Sequence, residues 1–159
     1  MSIIAEKVKT LLQKNDFHPI SSPDNHELIM LTGLNGHNGG QYNIQYVGKD
    51  ATDESEAVLL VTTQFPMKIP PNKTEKIMDF LNRMNHEAWF SWLTLENGII
   101  TSNSGVRSKT NNSMNEDIIE PCLFAVLGRI DTIHPFIMDL IYSEKTVDKV
   151  REEMMQPKK

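Results

Sequence analysis

The chain has 159 residues, 39% of them apolar and 23% charged, with a formal net charge of −5. A disordered chain would hold fewer apolar residues, and a nucleic-acid binder would cluster Lys and Arg, whereas the nearest basic run here is the terminal pair Lys158–Lys159. The single cysteine, Cys122, excludes an intramolecular disulfide and a thiolate metal cluster, and its neighbours Leu123, Phe124, Ala125 and Val126 mark it as a small buried hydrophobe.

The first helix is predicted from Ile4, Val8, Leu11 and Leu12, whose spacing builds one apolar face to pack on a sheet. Ser2 is its expected N-cap, and Asn15 and Asp16 end it. His18–Pro19 through Pro23 reads as a polar connection. Three strands follow. Glu27–Leu34 is apolar with little alternation, while Tyr42, Ile44 and Tyr46 alternate with Gln41, Asn43 and Gln45, the mark of a strand with one wet face. Ala57–Phe65 is rich in Val, Leu and Thr. Turn-like connectors at 35–40 and 49–56 suggest an antiparallel meander.

Pro66, Pro70 and Pro71 stop the pairing. Asn72 with Glu75 resembles a capping box opening a helix whose stripe is Ile77, Phe80, Leu81, Met84 and Ala88. Trp89–Leu95, the turn around Asn97–Gly98 and a strand from Ile99 form a second hairpin. Ser113 with Glu116 makes a further capping-box pair. Pro121 is expected to bend the last helical region, and Pro135 to open a new helix over Phe136–Tyr142. A final helix is expected between Ser143 and Met155.

The expected fold is therefore α+β, a mostly antiparallel five-stranded sheet with flanking helices in the order α-β-β-β-α-β-β-α and a broken C-terminal helix. The whole chain, 1–159, reads as one domain, with a core over about 2–142 and a C-terminal helix and tail over 143–159. No apolar run approaches the roughly 20 residues that span a bilayer, and Met1–Lys7 reads as a helix start and not as a signal peptide, so a cytoplasmic location is expected.

The residues that could carry chemistry are few. The histidines are His18, His26, His37, His86 and His134, and no pair has the tight spacing of a zinc site; His86 and His134 are read as lying near helix ends. The Gly33–Gly40 stretch lacks the Lys-Ser/Thr of a phosphate loop and is followed by a strand. Asp53, Glu54 and Glu56 lack the spacing of a calcium loop. No catalytic, cofactor or metal residue is assigned. Trp89, Phe90 and Trp92 form an aromatic group, with Phe90 and Trp92 expected on one strand face as a binding patch. Ile133, Phe136, Ile137 and Leu140 form an apolar stripe serving the core or a dimer interface.

The stretches Ile77–Asn85, Trp89–Leu93 and Glu96–Ile100, with Ile118, Ile119 and His134-Pro135-Phe136 to Leu140-Ile141, resemble the YbjN domain family over roughly residues 25–142. That resemblance implies a fold like that of type III secretion chaperones, which are small, acidic, usually dimeric binders of unfolded partner segments. The expected function is a non-catalytic protein-interaction domain, homodimeric and with a protein partner. The alternatives are a secretion chaperone dedicated to one effector, and a small-ligand protein or enzyme using His86 or His134.

Overall fold

The computed structural model describes residues 1–88 and 90–156. Trp89 of the aromatic group lies outside the described residues. The elements are α1 (Ile3–Lys14), β1 (Ile20–Ser21), β2 (Leu28–Asn35), β3 (Gln41–Lys49), β4 (Ala57–Gln64), a 3-10 turn (Pro71–Lys73), α2 (Thr74–His86), β5 (Trp92–Glu96), β6 (Ile99–Ser108), α3 (Glu116–Tyr142) and α4 (Val147–Met155). The sheet is antiparallel throughout its pairings and has the order β1-β2-β3-β4-β6-β5. It has six strands and not five, because Ile20–Ser21, inside the proline-punctuated connection, pairs with Met30 and Ile29. Two residues are too few to show a period, which is why this edge is invisible in sequence.

Ser2 caps α1, its hydroxyl accepting from the Ala5 N–H at 3.0 Å, and Asp50 adds two carboxylate bonds to the Ile3 and Ile4 N–H groups. The buried side of α1 is Ile4, Val8, Leu11 and Leu12. Neither expected capping box forms. The 3-10 turn led by Pro71 starts the second helical segment without a side-chain cap, and Asn115 caps α3 through the Ile118 N–H while Ser113 bonds Thr110. Asn97 and Gly98 both have positive φ (52° and 80°), the two-residue turn that closes β5 on β6.

The C-terminal region departs most from expectation. α3 runs unbroken for 27 residues through both Pro121 and Pro135, and the break comes later, between Tyr142 and Val147. His134 consequently sits inside a helix and not near an end. Each interior proline removes one i→i−4 bond, at a cost of ~3 kcal/mol in an isolated helix. Pro135 deprives the Asp131 carbonyl of its partner, and the Asn38 side chain supplies a replacement at 3.0 Å. Asp131 also holds the loop with its carboxylate, which accepts from the N–H groups of His37 and Asn38 and from the Tyr42 hydroxyl. The approach is so close that a Cβ on Gly40 would collide with the Tyr42 hydroxyl, and one on Gly36 with the Asp131 carboxylate.

α3 therefore lies across the sheet over its whole length. At about 1.5 Å per residue it is roughly 40 Å long. Its stripe enters two hydrophobic clusters, one with α1 and β2–β4 and the other with α2, β5, β6 and α4, and Leu127 touches both. Replacing Asp131 by Ala strands several donors of the 36–40 loop. We expect a loss of about 3 kcal/mol in stability, read from the urea midpoint, whereas a loss under about 1 kcal/mol would remove Asp131 from this role.

Candidate functional site

The strand period decides what the sheet shows to solvent. Tyr42, Ile44, Tyr46, Leu59 and Val61 point at the helices and are at most 1% exposed. Their alternates form the opposite face, where the register places them in cross-strand rows. The central row is Ile20, Met30, Gln45, Thr62, Asn103 and Trp92. On one side runs Leu28, Val47, Leu60 and Gly105, and on the other Gln64, Thr101 and Thr94. None of these three rows holds an ionisable side chain, although 23% of the chain is Asp, Glu, Lys or Arg. Charge sits at the ends, with Lys49 and Arg107 beside Val58 in one outer row and Glu96 beside Ile99 in the other. Large apolar groups remain exposed across this bare face: Ile20 at 50%, Trp92 at 45% and Leu60 at 37%. An uncharged, partly apolar centre with a charged rim is the composition of an interface core.

The β5 edge is less available than the face. The Asn85 carboxamide receives the Leu93 N–H and donates to the Leu93 carbonyl, both at 2.8 Å, and so occupies the outward main-chain pair of that residue. A peptide adding to β5 would have to displace it. This is how an exposed edge is blunted.

The other predicted site residues fall in different places. Phe90 is 73% exposed but precedes the strand, its carbonyl accepting from the Ser104 hydroxyl at 2.6 Å, so it does not share a strand face with Trp92. Phe90, Trp92 and Cys122 line one cavity of about 240 Å³, where burial raises the Cys122 thiol pKa. Ile133, Ile137 and Leu140 are fully buried in the second cluster, and Phe136 is half-buried against it, so this stripe is core and not surface. Met30, Val47 and Leu60 were not singled out from sequence. Their signal is the phase of β4, where Leu60, Thr62 and Gln64 alternate with Leu59, Val61 and Thr63.

His86 is exposed, while His134 meets Tyr42, whose hydroxyl also bonds Asp131. The Tyr42 hydroxyl lies 2.7 Å from His134 Nδ1 and 3.2 Å from Asp131, and the Phe65 ring centroid is 4.9 Å from that of His134. A His beside a carboxylate invites a catalytic reading. Here the Asp131 oxygens are spent on loop N–H groups, and Tyr42 is 1% exposed with its hydroxyl pKa raised by burial and by Asp131. The cluster is a fastening between the 36–40 loop and α3.

Residues 47–108 match the YbjN family model. Its description is "Putative bacterial sensory transduction regulator". No curated protein matches the chain. The YbjN match runs from Val47 to Ser108, so it takes in β4, α2, β5, β6 and the end of β3, and with them Leu60, Thr62, Trp92 and Asn103 of the bare face. Among the described residues no helix is long and apolar enough to cross a membrane.

Burial lowers the His134 pKa from its ordinary 6.5, opposed by the Asp131 charge. Between 6.5 and the lowered value the unfolded chain takes up a proton that the folded chain refuses, so this group's stabilising share is whole above 6.5 and falls as pH drops through that window. Urea midpoints at about pH 7.5 and pH 5 should therefore differ less for His134→Gln than for the native chain. An equal difference in both would assign the slope to other groups.

Proposed function

We propose that this chain is a non-catalytic protein-interaction domain with a regulatory role, and that its bare sheet face receives the partner polypeptide. The observation that carries this reading is the uncharged centre of that face, with Met30, Leu60 and Trp92 facing out in a chain that places its helices on the other side. Exposed apolar surface of this kind is stabilised when a partner removes it from water, and aromatic anchors such as Trp dominate the binding energy. The regulator description of the matched family supports the same reading. With Asn85 occupying the Leu93 edge pair, recognition rests on side chains of the face more than on added strands.

A homodimer through this face, or a dedicated chaperone holding one secreted effector, is the finer form of the same proposal. The partner is then a second copy or a single unfolded segment. The enzyme alternative through His134 loses support because its carboxylate and tyrosine neighbours are committed to the fold.

The test compares the native chain with Leu60→Asp and Trp92→Ala in sedimentation velocity and in quantitative capture from the native cytosol. Both positions are exposed, so folding should persist, as checked by far-UV circular dichroism. We expect self-association or capture of one recurrent polypeptide to weaken by at least about tenfold, since a central anchor contributes on the order of 2 kcal/mol. Unchanged association in both variants would take the partner off this face.

A further inference from the structure

The polar end of the bare face forms a recess of about 270 Å³, walled by Gln41, Asn43 and Gln45 of β3, by Thr62 and Gln64 of β4, and by Pro66 beyond it. We propose that this recess binds a neutral saccharide, at the scale of one sugar ring. The inference goes beyond the protein-interaction reading and does not depend on it, because it uses the polar side chains of the face and none of the apolar anchors Met30, Leu60 and Trp92.

The lining selects the ligand class. None of its residues is ionisable, so a phosphate, a carboxylate or an ammonium group would lose its hydration there without gaining a counter-charge. The side chains of Gln41, Gln45 and Gln64 make no hydrogen bond to any side chain or backbone group among the described residues, and Asn43 spends only its oxygen, on the Gly33 N–H at 3.0 Å. Each glutamine carboxamide therefore offers an acceptor oxygen and N–H donors a short distance apart in one plane, and Asn43 offers its N–H donors. Neighbouring hydroxyls of a sugar are both donor and acceptor, so they can answer such groups without any charge being buried. The Thr62 hydroxyl adds a further donor and acceptor, and the exposed Pro66 ring gives an apolar wall for the C–H face of the ring. Strand periodicity fixes the arrangement, since residues two apart on β3 point to the same side, and Gln45 is paired with Thr62 across the sheet. The recess lies slightly below the usual size of a drug-sized site, which suits a single ring.

The experiment is a 1H–15N correlation titration of the full chain with D-glucose, D-galactose, D-mannose and myo-inositol, read at the side-chain NH2 signals of Gln41, Gln45 and Gln64. Sodium phosphate serves as the charged control. At least one of the neutral probes should shift these signals saturably with a Kd of the order of 1–10 mM, while phosphate leaves them unmoved. Gln45→Leu and Gln64→Ala should each weaken that binding at least tenfold with the backbone spectrum retained, and Leu60→Asp should leave it intact. No saturable shift with any of the four probes up to about 100 mM, or equal shifts with phosphate, would overturn the proposal. Loss of binding in Leu60→Asp together with the Gln variants would also overturn it, by showing that the shifts report a general property of the face.

Discussion

The rest of the structure depends on how α3 survives its own prolines. Pro135 leaves the Asp131 carbonyl without its helical partner, and the Asn38 amide replaces that bond from outside the helix. The same aspartate receives the N–H groups of His37 and Asn38 and the hydroxyl of Tyr42, so one residue both repairs the helix and fixes the loop between β2 and β3. A continuous α3 can then reach both hydrophobic clusters. Two half-helices at an angle would have divided that contact, and part of the buried stripe from Ile119 to Ile141 would have faced water.

Laying the helices along one side has a consequence for the other. Among the described residues, those of the sheet that alternate with the core positions have no covering layer, and their composition departs from that of an ordinary wet surface. Strands facing solvent in a charged protein normally carry Lys, Glu or Arg, yet the three middle rows carry carboxamides, hydroxyls and apolar groups. The apolar row through Val47 and Leu60 and the amide-rich end through Gln41 and Gln64 are chemically distinct, and each suits a different kind of partner. Blunting of the β5 edge by Asn85 fits this division, because it discourages unspecific strand addition beside an exposed face.

Much of this was legible in the residues themselves, and the failures have specific causes. The alternation of Tyr42, Ile44 and Tyr46 with Gln41, Asn43 and Gln45 identified a wet face correctly, since a period of two is local information. The apolar face of α1, its Ser2 cap and the Asn97–Gly98 turn were equally local. The new helix expected at Pro135 was misread because the bond that rescues α3 there comes from residue 38, which no window around residue 135 contains. The stripe of Ile133, Ile137 and Leu140 was seen, but periodicity cannot say what covers a helix face, and here the sheet together with α2 and α4 buries it. Trp92 was noticed for its size, whereas its neighbours on the face became visible only once the register joined β2, β3, β4 and β6 to β5.

The central claim is that the free chain has one sheet face under helices and one face bare. Hydroxyl-radical footprinting of the purified chain at low concentration, resolved by residue, tests it most directly. Met30, Leu60 and Trp92 should be oxidised readily, while Met84, Met114 and Leu123 on the helix side stay protected. Protection of Met30, Leu60 and Trp92 in the isolated monomer would contradict the account, because it would mean that part of the chain itself covers the face assigned here to its partners.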